Sequence, residues 1–503
     1  MNVRLFWFLL LGSVSFHTLV AVAAPGDLDP TFGPGGKTTF FMGNCAANSA
    51  AVQADGKILV AGQSFFANND FTLIRFLADG GVDTDFGTSG KVLTDFTGGS
   101  DSITRVIAQS DGTILAAGTA VTDAGRDFAL ARYLATGALD PTFDPVGMDG
   151  KVTTDFGMGN DDSASFLGVQ TDGKILVAGY VSDGLQTDFG LVRYNANGTR
   201  DTSIGNSGRI ITDFNGKGDL ATCLAIQSDG KIILAGYAVI TNNFDFALVR
   251  YNTDGTPDTS FGVGGKVTTD FNNQSQDFIQ SVAVLGDGKI IVGGASGGNF
   301  VMARYLANGD LDTSFGVGGT VSTDFGSSES IQSLVVLATG KIVAGGVSGD
   351  DFAMACYRPD GTLDSSFGSG GLVLTDFAGG VDSANAIVID SSNRILLAGS
   401  SSGSSNFALA RYTGPLGRPI VTLVGKRKRV ISRPKITLRG TTTANTSTIA
   451  WRLGKRTRRA VPAANGTWRF TAKPETGSNR ITITALGPDG PSVPIRMKVI
   501  RRN

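Results

Sequence analysis

The chain has 503 residues with 43 Lys and Arg against 44 Asp and Glu, a formal net charge of −1, and 41% hydrophobic and 17% charged content, all ordinary for globular protein. Glycine is in excess at 70 residues, but with only 15 prolines and no Gly-X-Y period a collagen-like chain is excluded. The surplus is assigned to turns, as in an all-β protein with many short strands.

Residues 1–24 (MNVRLFWFLLLGSVSFHTLVAVAA) combine Arg4, an apolar run and small residues at Ala21, Ala23 and Ala24, and read as a signal peptide. Ser13, Ser15, His17 and Thr18 interrupt the run, which argues against a transmembrane anchor, and no cysteine follows it to carry a lipid. The protein is expected to be exported to the periplasm or beyond, and not to be an integral membrane protein. Removing this segment removes His17, the only histidine, and with it the commonest general base and metal ligand. Cys45, Cys223 and Cys356 show no CxxC spacing, so neither zinc nor a disulfide framework is expected.

A repeat follows. DGKILVAG at Asp55–Gly62 returns as DGTILAAG from Asp111, DGKILVAG from Asp172, DGKIILAG from Asp229 and DGKIIVGG from Asp287, with degenerate forms from Thr339 and Ser392. A second string, DFALARY at its cleanest, begins at Asp70, Asp127, Asp188, Asp245, Asn299, Asp351 and Asn406. A third, LDPTFG or a relative, begins at Leu28, Val82, Leu139, Arg200, Pro257, Leu311 and Leu363, usually followed by GKVTTDF. Seven copies of about 55 residues therefore run from Leu28 to Tyr412. Each holds four runs of strand character, the first two joined across a hairpin-forming Asp-Gly such as Asp287-Gly288. Four short antiparallel strands repeated seven times predict a seven-bladed β-propeller over residues 25–417. The first copy opens with an outermost-strand sequence, Gly36 to Phe41, and the last ends at Tyr412 without one. The two chain ends are expected to share a blade and close the ring without a free edge.

DGKILVAG, DFALARY and LDxSFG resemble the delta-60 repeat family of bacterial secreted β-propellers. That resemblance implies a fold and no activity.

Residues 418–503 leave the repeat. Strand-like segments at Ile420–Val424, Lys435–Arg439, Ile449–Leu453, Trp468–Ala472, Arg480–Ala485 and Ile495–Ile500 fit a small β-sandwich. NGTWRFTAKPETGSNRITITA resembles bacterial immunoglobulin-like domains, which implies a spacer or attachment role. This part carries 20 Lys and Arg against Glu475 and Asp489, a net of +18, whereas residues 25–417 carry 22 basic and 42 acidic residues, a net of −20. The near-neutral total hides two oppositely charged parts.

Three groups of residues remain as candidates. An acid stands at one repeat position, as Asp101, Asp162, Asp219, Asp277, Glu329 and Asp382, with Cys45 in the first copy. It is expected on one face around the channel, together with the acids that open the third strand: Asp70, Asp127, Asp188, Asp245 and Asp351. Crowded carboxylates suit calcium or a basic partner, whereas Asp before a strand also accepts backbone N–H bonds in a turn, the structural role preferred here. No other cofactor is expected. Arg75, Arg132, Arg193, Arg250, Arg304 and Arg411 share strand parity with buried Phe and Leu, so each needs a carboxylate, either the Asp of LDxSFG or that of TDF; Cys356 replaces the arginine once. The basic runs Lys426, Arg427, Lys428, Arg429 and Lys455, Arg456, Arg458, Arg459 suit an anionic surface or a solvated face.

With no catalytic constellation apparent, the expectation is a non-enzymatic, monomeric binding or scaffold protein of the bacterial envelope or exterior. Its propeller would meet a protein partner, and its basic domain would tether it to envelope polysaccharide or another anionic surface rather than nucleic acid. The alternative is a propeller enzyme, such as a calcium-dependent hydrolase using the acidic face.

Overall fold

A computed structural model describes residues 24–415 apart from 66–68, 124, 158–160, 241, 272–274, 378 and 404. In the C-terminal part it describes residues 428–431, 436–442, 448–453, 456–463, 467–487, 490–491 and 495–501. Residues 1–23 of the expected signal peptide, the strand at Ile420–Val424, and Lys426, Arg427 and Lys455 lie outside the described residues. Among those described, no helix is long and apolar enough to cross a membrane.

The repeat folds as four-stranded antiparallel blades, and the described residues form seven such sheets. In the first, Cys45–Val52 pairs with Ile58–Phe65, which pairs with Asn69–Phe76, which pairs with Lys91–Thr94. The Asp55-Gly56 turn between the first two strands holds Gly56 at φ 85°, a conformation that glycine adopts without a Cβ clash. Apolar residues of second and third strands are buried on both faces, because each blade is covered by its neighbours on either side. Neighbouring blades share single hydrophobic clusters. One joins Leu59 and Phe71 of the first blade to Ile103, Ile114 and Tyr133 of the second.

Each inner strand carries a β-bulge, between Ala47 and Ser49 in the first blade and Ile103 and Arg105 in the second. The repeat motif explains what the bulge requires of its partner strand. A Cβ on Gly118 would lie 1.9 Å from the Ser102 carbonyl, so the glycine of the ILxAG string is the residue that lets the bulged strand approach. The extra residue bonds to the next blade: Asn48 Nδ2 donates to Ile103 O at 2.8 Å, and Thr104 Oγ1 to Ala164 O at 2.9 Å.

The two chain ends meet in the last sheet. Lys37–Phe41 pairs antiparallel with Asn406–Tyr412, which pairs with Ile395–Ser401 and then Ser383–Ile389. Ser383–Ile389 in turn contacts Cys45–Val52, and Asn385 Nδ2 donates to Ala47 O at 2.8 Å, repeating between last and first blades the bond that Asn48, Thr104 and Thr222 make elsewhere.

In the C-terminal part, Lys428–Ile431, Ile495–Arg501, Gly477–Gly487, Thr448–Leu453 and Arg456–Ala460 line up in that order in one sheet. Ile436–Thr441 and Thr467–Ala472 form a second. Leu438, Trp468 and Phe470 from the second sheet pack with Ile449, Ile481, Ile483, Met497 and Val499 from the first in one core. Both basic runs contribute edge strands, Lys428–Ile431 and Arg456–Ala460, and the exposed arginines of the second oppose pairing with another chain.

Candidate functional site

The arginines and the acids of the repeat do different work. Each arginine takes the Asp of LDxSFG, and the TDF Asp is not its partner. Arg75 Nε donates to Asp83 Oδ2 at 2.7 Å, Arg193 to Asp201 at 2.7 Å, and Arg304 to Asp312 at 2.8 Å. Burial pushes the Asp201 carboxyl up, but hydrogen bonds from Lys174 and Ser203 and the charge of Arg193 hold it well below the usual carboxylate range. Each guanidinium also reaches a turn carbonyl in the following blade, as Arg75 Nη1 does to Ala135 O at 2.6 Å and Arg132 to Ala196 O at 2.7 Å. Arg75, Arg132, Arg250, Arg304 and Arg411 each also cover a phenylalanine ring, Arg75 lying 4.4 Å from the Phe86 centroid, whereas Ile204 stands at that position beside Arg193. The arginines are therefore structural bolts between blades. Where Cys356 replaces the arginine, Lys341 Nζ pairs with Asp364 at 2.8 Å, and Lys341 is buried where its equivalents are partly exposed.

The acids gather at the junctions between blades. Asp70 at the start of a third strand, Asp95 after the outer strand, and Asp101 at the entry to the next inner strand bring one carboxylate oxygen each to within 4.8 Å of one another. The same three positions give Asp127, Asp155 and Asp162; Asp188, Asp213 and Asp219; Asp245, Asp270 and Asp277; and Asp351, Asp376 and Asp382. Asp101, Asp162, Asp219, Asp277 and Asp382 thus each meet two carboxylates of the preceding blade, whereas Glu329 does not. The TDF aspartates, one of two candidate arginine partners in the sequence, are the members of the clusters not expected there. Their recurrence just beyond each outer strand was the available signal.

Local structure places all three. The Asp95 carboxylate accepts the Gly98 N–H at 2.6 Å and turns the chain after the outer strand. Phe96 then stacks edge-on against Phe71, with 4.8 Å between centroids, and fixes the junction to the third strand. Asp101 accepts the Phe96 N–H at 2.8 Å and the Val121 N–H at 3.3 Å, which explains its burial at the head of the inner strand. Burial pushes Asp101 up to about 6, with weaker repulsion from Asp95 and Asp70. Burial pushes Asp219 up to about 7, with repulsion from Asp213 and Asp188 adding to it. Asp70, Asp127, Asp188, Asp245 and Asp351 are also raised, in each case by burial first and by a neighbouring aspartate after it.

Two junctions depart from the pattern. One has Asn299, Asp324 and Glu329. At the seam between the chain ends the equivalents are Asn406, Phe41 and Cys45, with no acid at all.

The inner strands line a cavity of about 450 Å³ on the axis of the blades, walled by Val52, Val106, Ile107, Val282, Val335 and Val388 among others. Arg105 stands in this apolar wall with its guanidinium 4.4 Å from the Phe166 ring centroid, and desolvation pulls it down to about 10. Serines occupy the matching bulge position in three other blades, at Ser49, Ser281 and Ser333. The sequence reading passed over this break in symmetry, although comparing the copies at that position reveals it. In the C-terminal part, Arg456, Arg458 and Arg459 are all exposed on their edge strand.

Six segments, residues 53–86, 109–143, 170–203, 227–261, 285–315 and 337–367, match the model of a β-propeller domain of unknown function, DUF5122. The chain therefore carries the repeats of a β-propeller family. The first five segments hold the arginine bolts from Arg75 to Arg304 with their aspartates, while the Arg411–Asp29 bolt lies outside all six and Asp101 and its equivalents fall between or after them. No curated protein matches the chain. Solved structures similar to it include a protein from Lactobacillus plantarum, 13% identical, covering 66% of this chain and 88% of that one with a TM-score of 0.39. Another is Sqt1 from Chaetomium thermophilum, 12% identical, covering 92% and 100% with a TM-score of 0.37. Fibronectin(III)-like modules of Clostridium thermocellum CbhA are 20% identical over 16% of this chain and 96% of theirs, with a TM-score of 0.14. Likenesses of this strength carry no argument about function.

Proposed function

We propose that the protein is an exported, non-enzymatic binding protein of the bacterial envelope or exterior. In this reading the seven sheets act as one closed seven-bladed propeller that presents a rigid face to a partner. Residues 418–503 act as a basic, Ig-like tether to an anionic surface such as envelope polysaccharide. The observation that carries the reading is the edge strand Arg456–Ala460, on which Arg456, Arg458 and Arg459 are exposed together. Among the described residues no carboxylate stands within ion-pair distance of them. Three unpaired guanidinium groups on one strand make a charge array that a polyanion can satisfy without desolvating anything else.

The test uses the full-length chain on an anionic polysaccharide matrix. The acidic repeat region is repelled by such a matrix, so retention reports the basic part. Binding at low ionic strength with release by about 0.5 M salt is expected, because the screening length then falls to a few ångströms. Replacing Arg456, Arg458 and Arg459 by serine should move elution to lower salt. Unchanged elution of that variant, or retention insensitive to salt, overturns the reading.

A further inference from the structure

We propose that the aspartate clusters are calcium sites, one at each of five blade junctions, with Asp188, Asp213 and Asp219 as the type case. The donor set is oxygen alone, which suits a hard cation and not zinc or copper. Calcium accepts several protein carboxylates in a flexible geometry, whereas magnesium keeps much of its water and is seldom held by an all-protein cage, so converging carboxylates favour calcium. The oxygens of each cluster lie within 4.8 Å of one another.

A second observation points to an ion at the same place. Asp219 is wholly buried, its Oδ2 accepts the Phe214 N–H at 2.6 Å, and its Oδ1 has no hydrogen-bond partner. Asp188 Oδ1 and Asp70 Oδ1 are likewise buried and unpartnered. A buried carboxylate oxygen left unsatisfied is costly, and a coordinated cation removes that cost. The nearest basic group leaves the need in place. Lys266 donates to the Asp213 main-chain carbonyl at 2.6 Å and its charge favours ionised Asp188 and Asp219 from a distance, but among the described residues it forms no ion pair with the three carboxylates.

Turn capping does not account for three acids at one junction. At the seam, Cys45 heads the inner strand, Phe41 ends the outer strand and Asn406 opens the third, and the same strand pairing forms without a carboxylate. The three acids are absent together there, whereas at the junction of Asn299 two acids, Asp324 and Glu329, persist without the third. Each ion would bind the third and outer strands of one blade to the inner strand of the next.

Full-length protein, stripped with a chelator and dialysed, should take up about five calcium ions per chain at millimolar calcium, one per cluster. Its melting temperature should rise with the metal. Asp213→Asn should lower uptake by one ion while keeping the far-UV circular dichroism, because Asp213 is exposed and asparagine also caps the turn. Asp219→Asn should do the same if it folds. Asp55→Asn, in an exposed hairpin turn away from any cluster, should leave uptake unchanged. The proposal is overturned if the stripped protein binds no calcium, if Asp213→Asn binds as much as the parent, or if Asp55→Asn loses an ion as well. Displacement of the calcium by equimolar magnesium overturns the choice of ion.

Discussion

Arg411 Nε donates to Asp29 Oδ2 at 2.9 Å, joining two residues 382 positions apart in the chain. The pair is the same bolt that joins each third strand to its own LDxSFG string elsewhere, but here its halves come from the last and first copies. Arg411 Nη1 also reaches the Ala78 carbonyl of the first blade, and its guanidinium covers Phe32 at 4.5 Å.

Arg411→Ala should therefore destabilise the propeller by about 3 kcal/mol, because it leaves the buried Asp29 carboxylate with only the partly exposed Arg394, 3.3 Å away, as a cation and frees the Ala78 carbonyl. Arg132→Ala should cost less, since that side chain is 16% exposed against 2% for Arg411. Denaturant midpoints of the two variants check the order, and equal losses would count against a special role for the seam.

Deleting residues 25–45 removes the strand Lys37–Phe41 and bares the backbone edge of Asn406–Tyr412. The melting temperature should fall by many degrees, and the truncated chain should aggregate at concentrations where the parent is soluble. An unchanged midpoint would show that the seam carries no stability.

Lys341→Ala should cost more than Lys174→Ala. Lys174 shares Asp201 with Arg193 and is 30% exposed, whereas Lys341 is 7% exposed beside an aspartate opposite Cys356. A loss of roughly 2–4 kcal/mol is expected at Lys341, and under about 1 kcal/mol at Lys174. Urea unfolding of both variants decides this.

Stability should fall in acid. Asp201, Asp258 and Asp312 are held below the usual carboxylate range by lysine, serine and arginine partners. A depressed folded-state value adds stability that is complete above the unfolded value of about 3.9 and is lost as pH drops through the folded value. Melting temperature should drop progressively below about pH 4, and the drop should be shallower in Arg193→Ala, which has already lost part of the pairing. An acid limb of the same steepness in that variant would remove these pairs as its cause.

Much of this was legible in the sequence because the repeat states each contact seven times. The hairpin at Asp55-Gly56, the outermost-strand character of Gly36–Phe41 and the need of Arg75 for a carboxylate all follow from local chemistry. The choice between Asp83 and Asp95 does not, because both stand near Arg75 in sequence and the decision lies in which turn folds back beneath the third strand. The clusters were half legible for the same reason. Asp70 and Asp101 were recognisable as acids on one face, but Asp95 joins them through the turn after the outer strand, which its own carboxylate caps and the docking of Phe96 on Phe71 fixes. Lys428–Ile431 and Arg456–Ala460 carry too much charge to read as interior strands, and they are strands because they lie at sheet edges. Arg105 contradicts its apolar surroundings, and no local pattern marks it.

The pairing of Lys37–Phe41 with Asn406–Tyr412 also sets an order of events during folding. During synthesis the first strand is made early and its partner late, so the seam is a contact of very high sequence separation and closes last. In the interval the first strand is an unattached segment of five residues whose register any copy of Asn406–Tyr412 can satisfy. Two chains refolding side by side can therefore trade first strands and close each other's rings, so crowding during refolding favours interlocked dimers that a dilute chain never forms.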